Sequence, residues 1–288
     1  MNIEIKNKNL IISDIKDFNL DHIFECGQCF RWNKEPDGSY IGVAMGKALK
    51  ISQTASSVTL YDTSKEDFEN IWYNYFDMNN DYGIIKSTLS FDKILKEAIS
   101  YGGGIRILNQ DLWECVVSFI ISASNNIPRI KKIINSLCEL YGDKIEYLGN
   151  TYYTFPSSEK IYSLNLDDLA PIKAGFRDKY ILSAAKFFHE GMCMDTFKNL
   201  TYYDAKKELM KIKGIGNKVA DCILLFGLSK RNSFPIDVWI KRVVEYCYFT
   251  SPQSIGEIEK FSLEKFGSLG GYAQQYLFFY ARENKIGL

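Results

Sequence analysis

The sequence predicts an α+β protein in which an antiparallel β-sheet precedes a larger, mainly helical part. The segments "YIGVAMGKALKISQ" and "SSVTLYDT", within residues 40–63, alternate apolar and polar residues and are broken by glycines and a polar turn, as strands are. From residue 108 onward, apolar residues recur at the three- and four-residue spacing of helices. A chain of 288 residues is long enough for this two-part organisation.

Helical periodicity begins just after the predicted strands. In "KEDFENIWYNYF", residues 65–76, the apolar positions Phe68, Ile71, Trp72 and Tyr75 share one helix face. The three glycines of "SYGGGI", residues 100–105, then predict a hinge. We therefore expect two domains, residues 1–105 and residues 106–288.

The sequence of residues 106–288 predicts an array of helices. "DLWECVVSFIIS" is apolar nearly all round, which is typical of a buried central helix. In "IPRIKKIINSLCELYG", Pro128 suits a first helical turn and Gly142 a stop, while Thr201 is a predicted N-cap for "TYYDAKKELMKI". The other predicted helices are "RDKYILSAAKFFHEG", "NKVADCILLFGL", "DVWIKRVVEYCY", "IGEIEKFSLEKFG" and "GYAQQYLFFYAREN".

Composition narrows the class of protein. The first residues lack the apolar core of a signal peptide, and apolar runs such as "VVSFIISA" are too short to span a bilayer, so we expect a cytoplasmic protein. Seven cysteines, including a lone C-x-x-C, and only two histidines argue against a zinc site, so no metal is expected. Net charge is zero, but residues 101–288 hold 24 Lys/Arg against 20 Asp/Glu, which permits a DNA-facing surface.

The stretch "IKGIGNKVADC", residues 212–222, is the first candidate site. It lies between two predicted helices, and the amides of Gly214, Gly216 and Val219 would lie at or near a helix N-terminus, where partial positive charge favours a phosphate. Such a site grips a nucleic-acid backbone without reading its sequence. The G-x-G pattern alone also fits an ordinary turn in a helical hairpin.

Lys218 and Cys222 follow the glycines on one helix face. The helix macrodipole disfavours a cation in the first turn and so favours the neutral, nucleophilic form of the Lys218 amine. Each residue taken alone also fits a purely structural role: the lysine could be a solvated helix residue and the cysteine could simply pack in the core. Asp237, in "FPIDVWIKR", is a candidate helix cap, and a carboxylate held there can still face a developing positive charge.

Together these segments resemble the helix-hairpin-helix (HhH-GPD) DNA glycosylases, and within them the 8-oxoguanine DNA glycosylase branch. The resemblance is carried in order along nearly the whole chain by "CGQCFRW", "SFIISASNNIPR", "AGFRDKYI", "KGIGNKVADC" with "PIDVW", and "GYAQQYLFFY". It implies an amino-terminal antiparallel sheet domain of the TBP-like kind, followed by an HhH-GPD domain with its hairpin at about 203–228. It also implies a duplex DNA partner that contains 8-oxoguanine, acted on by a monomer in the cytoplasm of a bacterium or archaeon, at the nucleoid.

The resemblance further implies a bifunctional mechanism. Lys218 would attack C1′ of an extruded nucleotide, expel the damaged base and form a Schiff base, after which β-elimination nicks the strand. Asp237 would help to deprotonate the lysine and stabilise the oxocarbenium-like transition state. No cofactor is implied, although the family allows a monovalent cation under the hairpin carbonyls when DNA is bound.

Base recognition is assigned by the same resemblance. The lesion differs from guanine by its C8 oxygen and by N7, which becomes a donor, so the Gly27 carbonyl would accept from the lesion and repel guanine. Gln274 and Phe278, four residues apart on one helix face, and the Pro235 carbonyl complete the pocket, and the Lys218–Cys222 dipole adds selectivity.

The same resemblance implies that the base opposite the lesion is surrounded by Asn125, Asn126, Arg129 and Arg177. Phe176 stands where the family tends to have a tyrosine wedge. Ser124 stands where the family has a third asparagine, which predicts a weaker preference for cytosine.

Three other classes of protein compete with this interpretation, and the sequence argues against each of them. An alkylated-base DNA glycosylase shares the hairpin but activates water without a lysine nucleophile. The endonuclease III branch needs four cysteines near the carboxyl end for an iron–sulfur cluster, and residues 248–288 contain none. A non-catalytic helix-hairpin-helix DNA-binding protein would have no need for Lys218, Asp237 and Gly27 together.

Overall fold

Six antiparallel strands form the amino-terminal sheet, in the spatial order β1-β2-β6-β5-β4-β3. In the computed structural model, which describes residues 1–191 and 194–287, they are Asn2–Lys6 (β1), Asn9–Ser13 (β2), Trp32–Lys34 (β3), Tyr40–Ala44 (β4), Lys47–Gln53 (β5) and Ser57–Leu60 (β6). Alternation buries one face: Leu10 and Ile12 of β2 pair with Leu60 and Val58 of β6, and all four side chains are buried. The predicted antiparallel sheet is confirmed.

Aromatic side chains fill the core beneath this sheet. Helix α1 (Leu20–Glu25) places Phe24 against Trp32 of β3, with stacked rings whose centroids are 4.2 Å apart. Residues 65–75 form the predicted helix, although its middle is a π-helical turn, Phe68–Trp72, between the short α-helical pieces Lys65–Asp67 (α2) and Tyr73–Tyr75 (α3). Phe68 and Trp72 of this helix are buried in the same core as Phe24 and Trp32.

The rest of the chain is mainly helical, as predicted. Its α-helices are Tyr82–Leu89 (α4), Lys93–Gly102 (α5), Leu112–Ser122 (α6), Ile127–Tyr141 (α7), Ser158–Tyr162 (α8), Leu166–Leu169 (α9), Asp178–Glu190 (α10), Met194–Asn199 (α11), Tyr202–Leu209 (α12), Asn217–Gly227 (α13), Val238–Tyr248 (α14), Ile255–Phe266 (α15) and Gly270–Asn284 (α16). Among the residues that the structure describes, three 3₁₀ turns occur, at Ala170–Ile172, Gly175–Arg177 and Gly267–Leu269. In the described part of the chain, the helices lack the length and apolarity needed to cross a membrane.

The predicted helix signals are found where the sequence places them. Helix α6 is buried along nearly its whole length and packs against α7, α10 and α13. Pro128 lies in the first turn of α7, Gly142 follows its last residue, and the Thr201 side chain caps α12 by accepting from the Asp204 amide.

A second, two-stranded sheet interrupts the helical part, which the sequence did not predict. Strands Lys144–Tyr147 (β7) and Asn150–Tyr153 (β8) form an antiparallel hairpin. The Tyr147 hydroxyl accepts from the Lys50 amide at 2.9 Å and donates to the Tyr61 carbonyl at 2.6 Å. The hairpin therefore ties the helical part to the amino-terminal sheet at β5 and at the end of β6, its two central strands.

The triple glycine is a close-packed joint, in contrast to the predicted hinge. The Gly104 carbonyl accepts from the Asn19 amide at 3.0 Å, and the Gly104 amide donates to His22 Nδ1 at 3.2 Å. A Cβ at Gly104 would be 2.3 Å from the Asn19 Cβ, so glycine is needed for this approach. Helix α5, just before the joint, packs against α16 near the carboxyl end. The domain division at residue 105 stays a prediction.

Candidate active site

One cavity lies where the starts of α13 and α14, the buried helix α16 and the loop after α1 converge. Its volume is about 50 Å³, and it is lined by Cys26, Gly27, Phe119, Lys218, Cys222, Phe226, Pro235, Asp237, Gln274, Gln275 and Phe278. All seven residues predicted to act in catalysis or base recognition are in this lining. The structure thus brings together side chains that are up to 251 positions apart in the sequence, from Gly27 to Phe278.

Lys218 is the second residue of α13, the second helix of the hairpin. Gly216 occupies the N-cap position of this helix, so no side chain competes for the first amides. The Lys218 Nζ lies 5.5 Å from the centroid of the buried Phe119 ring, within the range of a cation–π contact. Lys218 is half-buried and lines the cavity, with its amine next to an aromatic face.

Cys222 lies one helical turn after Lys218 and is buried. Burial raises the pKa of the Cys222 thiol to about 11, although the nearby Lys218 ammonium acts in the opposite direction. The raised pKa favours the neutral thiol, and the selectivity expected from the Lys218–Cys222 dipole stays a prediction.

Asp237 caps α14, as the sequence predicted. Its carboxylate accepts from the Ile240 amide at 2.8 Å. Burial nevertheless raises the pKa of Asp237, against the lowering effects of the helix amides and of the Lys218 ammonium. A carboxylate with a raised pKa is a better proton acceptor, which suits it to take a proton from the amine on the same cavity.

The loop after α1 presents Gly27 to the cavity. Gly27 has a φ of +79°, in the left-handed region that favours glycine. The next residue, Gln28, is fully buried, and its amide donates to the Ile23 and Arg106 carbonyls at 2.8 Å and accepts from the Leu108 amide at 2.9 Å. Gln28 therefore fixes the position of Gly27, a role that the sequence did not assign although the residue stands in the quoted motif.

Phe278 covers Gly27 and closes the cavity. A Cβ on Gly27 would be 3.2 Å from Phe278 Cε1. Arg282 holds this arrangement, since its guanidinium lies 5.5 Å from the Phe278 ring centroid and donates to the Glu25 carbonyl. The volume of about 50 Å³ is well below the roughly 150 Å³ of an engineered cavity that holds benzene. A purine can therefore enter only when the cavity walls move, and the Phe278 ring over Gly27 is one of these walls.

The glutamine predicted to read the base is already oriented. Gln274 is buried, and its Nε2 donates to the Pro235 carbonyl at 3.1 Å. Two of the predicted recognition groups are therefore hydrogen-bonded to each other across the cavity wall.

The predicted backbone-binding groups lie outside the cavity, on the hairpin and the start of α10. Gly214 has a φ of +94° and packs against the ring of Tyr180. Gly214 and Gly216 are exposed, and Val219, which follows them in α13, is buried. Phe176, the predicted wedge, exposes 57% of its surface, so its ring is free to enter a duplex.

The residues predicted to read the opposite base have structural roles that the sequence did not predict. Asn126 caps α7 through the Arg129 amide, and Asn125 donates to the Ile121 carbonyl at the end of α6. Arg177 is buried and donates to the carbonyls of Ala123, Ser124 and Ala174. Arg129 is exposed. The DNA contacts of all these side chains stay a prediction.

The described residues hold neither a metal-binding cluster nor a disulfide. Among residues 1–191 and 194–287, no group of three or more His, Cys, Asp or Glu side chains is placed to hold a metal ion. Six of the seven cysteines are described and are free thiols, and Cys193 lies outside the described residues.

The fold and the cavity together are those of a helix-hairpin-helix DNA glycosylase. A sheet domain precedes a helical array, and the hairpin presents Lys218 to a cavity that Asp237 also lines. Residues 10–116 match the 8-oxoguanine DNA glycosylase N-terminal domain, and residues 117–267 match the HhH-GPD superfamily base excision DNA repair proteins. The chain belongs to the HhH-GPD superfamily of base excision DNA repair proteins, with the amino-terminal domain of 8-oxoguanine DNA glycosylases. The predicted family is confirmed.

Individual proteins agree with this assignment. The chain is 29% identical to a probable N-glycosylase/DNA lyase of Methanothermobacter thermautotrophicus, over 78% of this chain and 77% of that one. It is 31% identical to the N-glycosylase/DNA lyase of Saccharomyces cerevisiae, over 74% of this chain and 62% of that one. The structure is similar to that of the Clostridium acetobutylicum 8-oxoguanine glycosylase/lyase bound to double-stranded DNA with cytosine opposite 8-oxoG, with a TM-score of 0.96, 44% identity and 99% of both chains covered.

Proposed function

We propose that the protein excises 8-oxoguanine from duplex DNA and then nicks the strand, with Lys218 as the nucleophile. The observation that carries this proposal is the position of Lys218 and Asp237 on one small cavity directly behind the hairpin. The names of the relatives and the family match support the same activity.

The chemistry follows from the two side chains. Asp237 accepts a proton from the Lys218 ammonium, and the free amine attacks C1′ while the bond from C1′ to the base N9 breaks. The electron pair of the broken bond leaves with the base, which takes the proton back from Asp237, and the restored carboxylate stabilises the positive charge that develops on the sugar. The C1′–O4′ bond then breaks as the nitrogen on C1′ gives one proton to O4′, and the sugar opens to a Schiff base. Loss of a C2′ proton then breaks the bond from C3′ to the 3′ phosphate oxygen, which nicks the strand.

Recognition requires that the base leave the duplex and enter between Phe278 and Cys222. The neutral Cys222 thiol offers an apolar wall, and the Phe278 ring offers a stacking face. The Gly27 carbonyl would accept from the lesion N7–H, whereas it would face a lone pair on guanine N7. Leaving such a polar edge mispaired costs about 1–3 kcal/mol.

The hairpin supplies the grip on the backbone. Exposed amides at Gly214 and Gly216, at the N-terminus of α13, would bind a phosphate near the lesion. Phe176 would fill the space that the extruded base leaves, and Arg129 and Arg177 would lie near the opposite base.

We also propose that a monovalent cation binds the hairpin when DNA is present. The turn between Met210 and Ile215 offers backbone carbonyl oxygens, which suit K⁺ or Na⁺. Of these, the Ile212 carbonyl accepts from the Ile215 amide at 3.1 Å and keeps a second lone pair. The cation would add positive charge beside the phosphate. Replacing K⁺ with tetramethylammonium at constant ionic strength should weaken DNA binding, and an unchanged affinity would contradict this part of the proposal.

A base-release assay tests the activity and separates it from the alkylated-base alternative. Wild-type protein should release 8-oxoguanine from a duplex with cytosine opposite and should leave guanine in place. Lys218→Gln should release neither, while it still binds DNA. Release of 3-methyladenine in preference to 8-oxoguanine, retained in Lys218→Gln, would instead favour a water-activating alkylated-base glycosylase.

We further propose that one monomer acts on each lesion, at the chromosome of a bacterial or archaeal cell. Sedimentation of the complex with a short lesion duplex should give a mass of one protein per duplex. Two copies per lesion at saturation would contradict a monomer.

A further inference from the structure

Gln275 lies in the cavity wall next to Gln274, and the sequence predicted no role for it. Both side chains are buried, with 3% and 4% of their surfaces exposed, and both line the cavity. Gln275 Nε2 donates to Gln274 Oε1 at 2.7 Å. Gln275 is therefore part of the site itself.

The orientation of the two amides is fixed by a single carbonyl. The Pro235 oxygen can only accept, so Gln274 must turn its NH₂ group toward it. The Gln274 oxygen is then left to accept, and Gln275 must supply its own NH₂ group. This chain of bonds, from Gln275 through Gln274 to Pro235, leaves one orientation for each amide.

The end of this chain is an unpaired acceptor. Gln275 Oε1 is buried and has no hydrogen-bond partner among the described residues. Buried polar atoms of native proteins are nearly always satisfied, and an unpaired acceptor costs about 1–3 kcal/mol, so such an atom in a cavity wall indicates a missing donor. 8-Oxoguanine carries N–H donors at N1, N2 and N7.

We propose that Gln275 is a second base-reading amide, which orients Gln274 and presents Oε1 as an acceptor for an N–H group of the extruded purine. The proposal rests on the function proposed above and assigns a further specificity residue to the same cavity. Occupation by the base satisfies Oε1, whereas a duplex without an extruded base leaves it unpaired. Gln275 therefore contributes to affinity only when a base is in the cavity.

The test measures equilibrium binding in the Lys218→Gln background, which prevents turnover. Two duplexes are compared, one with 8-oxoguanine and one with a tetrahydrofuran abasic analogue that keeps the backbone but carries no base. Gln275→Met preserves length and removes both the donor and the acceptor. It should weaken binding to the 8-oxoguanine duplex about tenfold and leave binding to the abasic duplex unchanged.

Tyr276→Phe is the matched control. The Tyr276 hydroxyl is also buried without a partner in the described part of the chain, but Tyr276 lies outside the cavity lining. Loss of the Tyr276 hydroxyl should change neither the affinity for the 8-oxoguanine duplex nor the affinity for the abasic duplex. Urea unfolding of both variants checks the fold, and Gln275→Leu replaces Gln275→Met if the latter is destabilised.

The outcomes separate this proposal from the function. The role of Gln275 would be overturned if wild-type and Gln275→Met bound the lesion duplex equally well, or if the substitution weakened binding to both duplexes equally. In either case, 8-oxoguanine release by the wild-type protein would still support the proposed function. Failure of the wild-type protein to release 8-oxoguanine would overturn the function itself.

Discussion

The ring of Tyr180 lies directly against Gly214. A Cβ placed on Gly214 would be 2.5 Å from Tyr180 Cγ, so the hairpin backbone rests on this ring. Tyr180 also contacts Phe176 edge to face, with ring centroids 6.0 Å apart. One tyrosine therefore contacts both the hairpin that is predicted to bind a phosphate and the exposed phenyl ring that is predicted to enter the duplex.

Gly214→Ala should displace the hairpin. The added methyl group cannot fit against Tyr180, and the φ of +94° is unfavourable for alanine. Overpacking of this kind costs about 1–3 kcal/mol of unfolding free energy, measured by urea denaturation. DNA affinity should fall on lesion and undamaged duplexes alike.

Gly216→Ala is the control for stability, because a Cβ there would meet no described atom within 4 Å and the φ is −98°. It should change the unfolding free energy much less than Gly214→Ala does. Equal stability of the two variants would remove the Tyr180 contact from the account.

Gly27→Ala should block the cavity while the fold survives. The new methyl group would lie 3.2 Å from Phe278 Cε1, in the space that the base needs. We expect 8-oxoguanine release to fall about tenfold or more, since small misplacements of the reacting atoms are costly. Gly46→Ala has a similar φ, +76° at the native residue, but open space around its Cβ within the described chain. Equal loss of activity in both variants would indicate backbone strain and not occupation of the cavity.

Asp237→Asn should separate catalysis from capping. Asparagine still caps α14, so the fold should persist, but it cannot accept a proton, so base release should slow by about 10²–10⁴-fold. Burial raises the pKa of Asp237, so wild-type base release should decline as pH falls through that raised pKa. The variant should lack this acidic decline in single-turnover rate profiles.

The raised pKa of Asp237 also affects the free energy of unfolding, by an amount that depends on pH. An acid whose pKa is raised by folding destabilises the protein where it is ionised and has no effect where both states are protonated. Asp237→Asn should therefore match or exceed the wild-type unfolding free energy at pH 7, and this difference should vanish as pH falls below the ordinary aspartate range. A variant that is less stable than wild type at pH 7 and equally stable at low pH would show that the carboxylate stabilises the fold.

Arg177 and Arg129 should differ in what their loss affects. Arg177→Ala leaves the carbonyls of Ala123, Ser124 and Ala174 without their donor, and we expect a loss of about 1–3 kcal/mol in unfolding free energy. Arg129→Ala, at an exposed position, should leave stability nearly unchanged and weaken discrimination between bases opposite the lesion. Equal stability of the two variants in urea would contradict the structural role of Arg177.

Much of this arrangement is encoded locally and could be predicted from the sequence. Thr201, Pro128 and Gly142 mark helix ends through their own backbone chemistry, so the caps appear where those residues stand. Lys218 and Asp237 stand at helix starts that the sequence also indicates.

What the sequence missed depends on distant contacts or on unfavourable local choices. The turn of the β7–β8 hairpin has positive φ at Leu148 and Gly149, and leucine is not a residue that predicts such a turn. The hairpin is stabilised instead by Tyr147 and its bonds to the first sheet. Gln28 and Gln275 likewise show their roles only through partners that the fold brings to them.

The central claim is that the Lys218 amine forms a covalent bond with C1′, and peptide mapping of a borohydride-trapped complex tests it most directly. Wild-type protein incubated with an 8-oxoguanine duplex and borohydride should give one adduct, with the DNA remnant on the peptide that contains Lys218. Lys218→Gln should give no adduct while it still binds the duplex. An adduct mapped to another lysine, or 8-oxoguanine release without any trapped complex, would contradict the claim.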